Sequence, residues 1–412
     1  MNAILLSVLL SAAPLVLLSK TIVVSRDGEV NSLKKAISIA APGDTLLVKP
    51  GIYREGNLLV NKSIVILGEG LPVLDGENKY EILTINANDV TISGLKFIDT
   101  GTASITDIAA ISVSDAKGIK IIGNTFQDTF FGIHFSNTTQ SLIESNQLES
   151  DATAEQEIGN GIHLWKCENI TINNNVIKGH RDGIYFEFAT HCLITNNRSE
   201  RNLRYGLHFM FSHNDEYRNN FFVDNGAGVS VMYTKGVKMI NNTFKHNWGS
   251  SSYGLLLKEI SDSFVTGNRF LENSIGIYME GSSRIELTDN LFYRNGYAVK
   301  LQASCDGNTF THNNFSSNTF DIATNGNLVL NTINSNYWDR YEGYDLNKDN
   351  IGDIPYRPVS MYSMVVERMP TAVLLWRSFL VFLMDRAEKA IPVLTPENLK
   401  DESPSIKPYD LI

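Results

Sequence analysis

The chain has 412 residues, of which 43% are hydrophobic and 19% charged; this is the composition of a foldable protein and excludes a disordered one. Its formal net charge is -10 and no basic patch stands out, which argues against nucleic acid as the main partner. Only three cysteines occur, so a disulfide framework is excluded.

The chain begins with an almost wholly apolar segment, residues 1–18, followed by Ser19 and Lys20. The segment is short for a membrane span and has the length of a secretory signal core, with Ala12 and Ala13 as the cleavage context. No Lys or Arg precedes the apolar run, so a buried first strand of the fold is the alternative. The pattern favours a signal peptide over residues 1–19 and export of the rest.

Short alternating segments follow this leader and are typical of strands. They cover residues 21–24, 45–48, 64–67, 83–85, 90–97 and 108–113. Residues 32–40 carry apolar side chains at helical spacing, and they predict a short helix that caps the open end of a stack of strands.

From Gly132 onward a four-residue pattern recurs, consisting of glycine, an apolar residue, any residue and another apolar residue. Its instances begin at Gly132, Gly161, Gly183, Gly206, Gly228, Gly254 and Gly276, with Ala298 replacing glycine in the eighth. The spacings are 29, 22, 23, 22, 26, 22 and 22 residues.

A second pattern, built on asparagine, runs in step with the first. Its asparagines are Asn124, Asn146, Asn175, Asn197, Asn220, Asn242, Asn268, Asn290 and Asn313. The longer intervals fall in the same two coils for both patterns, where residues 151–157 and 250–252 have the composition of loops. Two independent series that share one irregular period indicate a structural repeat.

A unit of about 22 residues made of short alternating strands predicts an all-β, right-handed parallel β-helix over residues 20–338. A leucine-rich repeat has a similar length, but its Leu-x-x-Leu-x-Leu frame is absent. About a dozen coils stacked at about 4.8 Å would give a rod of roughly 60 Å. We expect asparagines at one corner and glycines, which permit positive φ or close backbone approach, at another.

The residue between the two apolar positions of the glycine pattern points outward and stacks across coils. This places His134, His163, Tyr185 and His208 in one outward column, and Trp165, Glu187, Met210 and Met232 in the column beside it. Imidazole and thioether are soft ligands that suit copper, above all Cu(I), so His208, Met210 and Met232 are candidate ligands for one ion, with His163 and His134 nearby. The alternative is a partner-docking face that includes Trp165, Tyr185 and Glu187, and spacing alone favours docking.

The segment from Gly179 to Gly183 indicates a second chemistry, because parallel β-helices often bind or cleave polysaccharides. His180, Asp182 and Glu187 lie close in sequence, with Arg181 and Arg204 in neighbouring coils. Hydrolysis needs a pair of carboxylates at a set separation, and no matching column of Asp is present. Arg181 and Arg204 are expected to pair with Asp182 or Glu200 as structural ion pairs.

A polar loop follows the predicted β-helix. Residues 339–357 form an Asp-rich loop in which Asp345, Asn347, Asp349 and Asp353 resemble the start of a calcium loop, although the bidentate Glu that closes an EF-hand is missing. A solvated polar turn is the alternative.

Residues 358–412 form a helical segment and a tail. The apolar stretch 371–384 is too short to span a bilayer, and it predicts either a cap for the β-helix or a surface that docks on a membrane partner through Trp376, Phe379 and Phe382.

Several segments of the chain resemble one known family. The segments are Arg181-Asp-Gly-Ile-Tyr-Phe-Glu187, Arg204-Tyr-Gly-Leu-His-Phe-Met-Phe-Ser-His213 and Gly226-Ala-Gly-Val-Ser-Val-Met-Tyr233, together with the ending Asn336-Tyr-Trp-Asp339, Gly343-Tyr-Asp345 and Gly352-Asp-Ile-Pro-Tyr356. They are similar to the NosD family of periplasmic maturation proteins for nitrous oxide reductase, over nearly the whole mature chain.

The resemblance implies a periplasmic protein without catalytic turnover. Such proteins sit on an ABC transporter made of a permease and an ATPase, peripheral to the inner membrane, and work with a copper chaperone lipoprotein. They supply copper, or arrange sulfide delivery, for the copper centres of nitrous oxide reductase. The resemblance therefore favours the copper interpretation of His208, Met210 and Met232, and membrane-partner docking of the C-terminal segment. A polysaccharide-binding or polysaccharide-modifying β-helix stays the alternative, and calcium stays a candidate second ion.

Overall fold

A computed structural model describes residues 19–103, 105–326, 330–390 and 399–411 of the chain. Apart from Ser19, the predicted signal segment lies outside the described residues. The first helix, α1 (Leu33–Ile39), confirms the predicted cap: the Ser32 hydroxyl accepts a hydrogen bond from the Lys35 amide, and Leu33, Ala36 and Ile37 are buried against the first coil. The carboxylate of Glu55 adds a second N-terminal cap, because it accepts the amide of Leu33 at 2.9 Å.

The described strands form three parallel sheets that wind around one core, which confirms the predicted parallel β-helix. Sheet A contains β1 (Thr21–Val24), β2 (Thr45–Val48), β5 (Val65–Gly68), β8 (Thr91–Ser93), β11 (Lys120–Ile122), β14 (Thr139–Glu144), β17 (Glu168–Asn173), β20 (Leu193–Thr195), β23 (Glu216–Arg218), β26 (Lys238–Ile240), β29 (Ser261–Thr266), β32 (Ser283–Thr288), β35 (Thr309–Thr311) and β38 (Thr332–Asn334).

Sheet B contains β3 (Ile52–Tyr53), β6 (Val73–Asp75), β9 (Lys96–Ile98), β12 (Thr125–Gln127), β15 (Gln147–Glu149), β18 (Val176–Lys178), β21 (Arg198–Glu200), β24 (Phe221–Val223), β27 (Thr243–Lys245), β30 (Arg269–Leu271), β33 (Leu291–Tyr293), β36 (Asn314–Ser316) and β39 (Tyr337–Trp338). Sheet C contains β4 (Leu58–Val60), β7 (Leu83–Ile85), β10 (Ala109–Ser114), β13 (Phe131–Ser136), β16 (Ile162–Trp165), β19 (Asp182–Glu187), β22 (Tyr205–Met210), β25 (Ala227–Met232), β28 (Leu255–Lys258), β31 (Ile275–Glu280), β34 (Tyr297–Leu301) and β37 (Phe320–Thr324). Sheet A alone has 14 strands, so the stack has more coils than the dozen predicted and extends for about 65 Å.

The predicted asparagines line the corner between sheets A and B as one hydrogen-bonded ladder. Asn220 is representative: its Oδ1 accepts the amide of Asn197 at 2.9 Å, and its Nδ2 donates to the carbonyl of Ile194 and to Oδ1 of Asn242. Each rung therefore joins two coils and satisfies buried backbone groups that the turn would otherwise leave unpaired.

A second ladder, which the sequence analysis missed, lines the corner between sheets B and C. Its rungs are Asn202, Asn225, Asn247, Asn273, Asn295 and Asn318. It begins at His180, whose amide donates to Oδ1 of Asn202 at 3.1 Å.

The repeated glycines of sheet C are explained by close backbone approach and not by positive φ. A Cβ on Gly206 would lie 2.7 Å from the carbonyl oxygen of Gly228 in the next coil, and one on Gly228 would lie 2.3 Å from that of Gly254. Any larger side chain would therefore push neighbouring coils apart.

Inside the coils, aromatic rings stack from one coil to the next. The series Phe222, Phe244, Phe270, Phe292, Phe315 and Trp338 has successive centroid separations of 5.5, 4.7, 4.9, 4.7 and 4.1 Å. Trp338 ends both the stack and the last strand of sheet B. This continuous core makes the outward face of sheet C a stiff surface.

The C-terminal region packs on the last coils. Helices α2 (Met361–Arg368) and α3 (Phe379–Ala390) flank a 3₁₀ turn over Pro370–Leu375, and Tyr362, Val366 and Ala372 pack against Phe320 of sheet C. Among the described residues, no helix is long and apolar enough to cross a membrane.

The predicted tail also returns to the β-helix. Asp401 is fully buried, and its Oδ2 accepts the amide and the side-chain Nδ2 of Asn336 at 2.9 and 3.1 Å. Asp401 therefore ends the asparagine ladder between sheets A and B, in the place where a further coil would put its own asparagine.

Candidate functional site

The predicted outward column is present on sheet C and is continuous. The pairing of strands places Ser112, His134, His163, Tyr185, His208 and Ser230 at one register position of successive coils. The rings of His134 and His163 lie 4.7 Å apart, those of His163 and Tyr185 4.8 Å, and those of Tyr185 and His208 5.0 Å. The three imidazoles thus belong to one aromatic stack, which we call the imidazole column.

Tyr185 divides the imidazole column into two parts. His208 lies on one side of its ring, and His163 with His134 lies on the other. The five predicted copper ligands are therefore not one group: His134 and His163 are separated by a whole strand from His208 and the two methionines.

The soft ligands predicted from the sequence share one side of sheet C. His208 and Met210 are two residues apart on β22, and Met232 on β25 is in direct register with Met210. The Tyr185 hydroxyl lies 3.7 Å from Sδ of Met210 and 3.4 Å from Oε2 of Glu187. Adjacent strands are about 4.8 Å apart, so the two thioethers lie within reach of one ion.

A buried carboxylate orients His208. Asp182 is fully buried, accepts hydrogen bonds from Nε and Nη2 of Arg204 at 2.8 and 2.5 Å, and places its Oδ2 3.4 Å from Nδ1 of His208. Burial alone would raise the pKa of Asp182, but the hydrogen bonds from Arg204 and His208 outweigh it and hold that pKa below its ordinary value. Nε2 of His208 is buried and has no hydrogen-bond partner among the described residues.

The residues considered for polysaccharide chemistry are held in contacts within the β-helix. Asp182 is held by Arg204, as the sequence analysis expected, while Arg181 donates to Oδ1 of Asn160 at 3.3 Å. His180 is fully buried at the start of the second asparagine ladder, and burial lowers its pKa to about 4. Asp182 and Glu187 lie at opposite ends of β19, so the strand offers no facing carboxylate pair.

The candidate calcium loop is stabilised by its own side chains. The Asp345 carboxylate accepts the amides of Lys348 and Asn350 at 2.6 and 2.9 Å, Asp353 accepts that of Leu346 at 2.7 Å, and Asn347 donates to Asp349 at 2.9 Å. These contacts are those of a polar turn, the alternative considered from the sequence. Calcium binding there stays a prediction.

The residues predicted for partner docking fall on two surfaces. Trp165 is half-buried next to the imidazole column, with the Lys166 ammonium 4.2 Å from its ring centroid, and Tyr185 and Glu187 are half-buried beside it. Trp376 packs on Tyr362 and Phe320. Phe379 and Phe382 of α3 are 74% and 51% exposed, and Phe382 also borders a cleft that Phe320 and Trp376 line.

The part of the chain that forms this surface is similar to known proteins. The family model described as "Periplasmic copper-binding protein (NosD)" matches residues 144–343, which include Tyr185, His208, Met210 and Met232. A "Probable ABC transporter binding protein NosD" of Pseudomonas aeruginosa is 27% identical over 400 residues and covers 85% of this chain and 86% of its own length. The protein of the same description from Stutzerimonas stutzeri is 23% identical, with 86% and 85% covered.

Solved structures with the same winding are distant in sequence. The surface adhesin PfbA of Streptococcus pneumoniae has a TM-score of 0.58 at 12% identity, covering 71% of this chain and 87% of its own. A family 28 exopolygalacturonase of Yersinia enterocolitica has a TM-score of 0.56 at 10% identity, covering 78% of each chain. At such identities the likeness concerns the fold alone.

Proposed function

We propose that the chain, whose residues 144–343 match the NosD family model, is a NosD-family protein that binds copper and hands it on during assembly of the copper centres of nitrous oxide reductase. In this proposal the protein works in the periplasm with an ABC transporter. It acts by binding and release, without catalytic turnover.

One observation supports the copper site most strongly: His208, Met210 and Met232 share one side of sheet C, and Nε2 of His208 is free to coordinate. One imidazole and two thioethers form a soft ligand set that suits Cu(I). Each ligand projects from a strand of a stiff sheet, so the set is held in place before the ion arrives.

The residues around these ligands favour transfer of the ion over permanent retention. Asp182 and Arg204 neutralise each other beside His208, so the local charge of the pair does not add to the attraction for the cation. Thioethers are neutral ligands, and a site that they dominate holds Cu(I) without a fixed thiolate charge. We propose that a copper chaperone lipoprotein delivers the ion here and that nitrous oxide reductase receives it, both docking beside Trp165 and Glu187.

The transporter is proposed to bind at the C-terminal helices. The relatives are described as ABC transporter binding proteins, and this chain presents Phe379 and Phe382 on the exposed side of α3. Because these aromatic side chains are exposed, they are available to a permease at the membrane surface. The associated ATPase would bind the permease and not this chain.

A Cu(I) competition titration on the purified protein tests the proposal. The wild type is compared with the His208→Ala/Met210→Ala/Met232→Ala variant and with a matched control, His191→Ala/Met369→Ala, which removes an exposed histidine and an exposed methionine elsewhere. We expect the wild type and the control to compete with a Cu(I) chelator and the triple variant to lose this ability. Equal competition by all three proteins would contradict the assignment of the site, and no binding by any would contradict copper binding by this chain.

A further inference from the structure

A third side chain joins the two histidines at the far end of the imidazole column. Asp107 belongs to the loop before β10, outside the repeat, and its carboxylate lies beside His134 and His163. One ligand atom from each of these three residues lies within 4.8 Å of the other two, and no other group of three His, Cys, Asp or Glu residues comes this close in the described part of the chain.

His163 brings two unpaired ring nitrogens to this cluster. Its ring is more than nine-tenths buried, yet neither Nδ1 nor Nε2 has a hydrogen-bond partner among the described residues. A buried imidazole without any partner loses the water contacts of both nitrogens, which costs about 1–3 kcal/mol per group. A ligand that occupies one nitrogen would remove part of that cost.

The protonation state of both imidazoles also suits a metal ion. Burial lowers the pKa of His163 to about 3, with the charges of His134 and Arg181 adding to it, and burial likewise lowers the pKa of His134. Both rings are therefore neutral at pH 7 and keep a lone pair for coordination.

We propose that Asp107, His134 and His163 form a second metal site, specific for a divalent transition ion of the Cu²⁺ or Zn²⁺ type. Two imidazole nitrogens and one carboxylate oxygen are borderline-to-hard ligands, in contrast with the soft set at Met210 and Met232. Three protein ligands leave a further coordination position for water or for a group of a partner protein. The site goes beyond the proposed function, because it does not depend on Cu(I) binding at the methionines.

The two sites are close but independent in structure. The ring of Tyr185 lies between His163 and His208, with centroid separations of 4.8 and 5.0 Å. Asp107 and the two histidines come from the loop before β10 and from β13 and β16, whereas the soft ligands come from β22 and β25. Variants of one site therefore leave the other intact, and the two proposals can fail separately.

The test uses Cu²⁺ as a spectroscopic probe and Zn²⁺ as a calorimetric one, both added to the metal-free purified protein. We expect one equivalent of Cu²⁺ with electron paramagnetic resonance couplings from two nitrogens, and one equivalent of Zn²⁺ by titration calorimetry. Asp107→Asn, an exposed and nearly isosteric change, is expected to weaken binding at least about tenfold, which is about 1.4 kcal/mol. His163→Gln is expected to abolish it, while His191→Ala and Met210→Ala/Met232→Ala bind as the wild type does.

Three outcomes would overturn the proposal. The first is wild-type binding by both Asp107→Asn and His163→Gln, and the second is no stoichiometric binding by the wild type. The third is loss of Cu²⁺ in the double methionine variant, because it would mean that one shared site serves both oxidation states. Should His163→Gln fail to fold, the Asp107→Asn comparison alone decides.

Discussion

Nδ1 of His208 lies 3.4 Å from Oδ2 of Asp182, the same carboxylate that receives the Arg204 guanidinium. An ionised carboxylate accepts and does not donate, so Nδ1 of His208 carries a proton, and in the neutral imidazole Nε2 then keeps its lone pair. The buried carboxylate thus selects the tautomer that coordinates a metal ion, as carboxylates behind metal-binding histidines commonly do.

Replacing that carboxylate is expected to weaken copper binding without removing a ligand. Asp182→Asn should lower Cu(I) affinity about 10- to 100-fold and also destabilise the fold by several kcal/mol, roughly 3–5, because Arg204 loses its buried partner. The chelator competition and a denaturation curve measure the two effects. Asp224→Asn is the matched control, since Asp224 lies 3.6 Å from Nδ1 of His246 at the surface; an equal loss of affinity in this control would contradict the role of Asp182.

The asparagine ladder is expected to carry a large part of the stability of each coil. Asn220→Ala removes one rung and leaves buried groups of Asn197 and Ile194 without partners, which should cost at least about 3 kcal/mol. Asn86→Ala, an exposed asparagine outside the ladder, should change stability by about 0.5 kcal/mol or less. Urea denaturation midpoints compare the two variants, and similar midpoints would argue against the ladder.

Asp401 is expected to be the most sensitive residue of the C-terminal region. Its carboxylate also accepts Nε1 of Trp338 at 3.0 Å and the amide of Ser335 at 2.9 Å. Asp401→Ala leaves these buried donors without a partner and should lower the free energy of unfolding by about 3–5 kcal/mol. The loss would be detected as denaturation at a lower denaturant concentration and as faster proteolysis of the last coils. The neighbouring Glu402→Ala, 56% exposed on its side chain, should behave as the wild type. Unchanged proteolysis in Asp401→Ala would show that the last coil closes without it.

Asp215, a buried acid immediately before β23 of sheet A, predicts a pH dependence of stability. Burial raises the pKa of Asp215 from 3.8 to about 8. The folded protein therefore holds this proton to about pH 8 while the unfolded chain releases it above about pH 4. The stabilisation that this proton contributes is fully present below pH 4. It declines as the pH rises towards 8, by up to about 1.4 kcal/mol per pH unit.

Asp215→Asn tests this dependence, because the chain already uses asparagine at the matching place of another coil. Oδ1 of Asn308 accepts the amide of Ile285 at 2.9 Å, as Oδ1 of Asp215 accepts that of Cys192 at 2.7 Å. Relative to the wild type, the free energy of unfolding of this variant should increase steadily between pH 5 and pH 8. The exposed Asp151→Asn should show the same pH dependence of stability as the wild type. Parallel profiles for Asp215→Asn and the wild type would mean that this carboxyl group does not titrate as expected.

The exposed aromatic residues of α3 are expected to serve association and not folding. Phe379→Ser/Phe382→Ser should leave the denaturation midpoint almost unchanged but reduce recovery of the transporter permease in a co-purification. Leu59→Ser, 51% exposed on an early coil, is the control and should retain the permease. Full recovery with the double variant would contradict docking through α3.

The fold could be predicted from the sequence because successive coils have the same residue types at matching positions as well as a similar length. Each glycine of the sheet C pattern marks a place where a neighbouring coil leaves no room for Cβ, and each asparagine of the ladder accepts a backbone amide at a corner. The second ladder, from Asn202 to Asn318, has the same spacing as the first and is therefore equally predictable from the sequence.

The site was less predictable, because its supporting residues lie outside the alternating pattern. His208, Met210 and Met232 are spaced two residues or one coil apart, so their common face follows from strand geometry. Asp107 belongs to an irregular loop, and the sequence contains no signal that brings this loop to the two histidines. Asp182 precedes its glycine, a position for which alternation does not say which way the side chain points.

The closure of the ladder by Asp401 sets an order of events while the chain is synthesised. This residue follows Asn336, its ladder partner, by 65 positions, so a chain that emerges N-terminus first presents every coil before the residue that finishes the last one. Coils that form early are covered by the coils that follow them, whereas the edge of the last coil stays unpaired until the C-terminal segment has been synthesised as well. A nascent chain halted between these two points would expose an unpaired strand edge, the surface from which such proteins associate with one another.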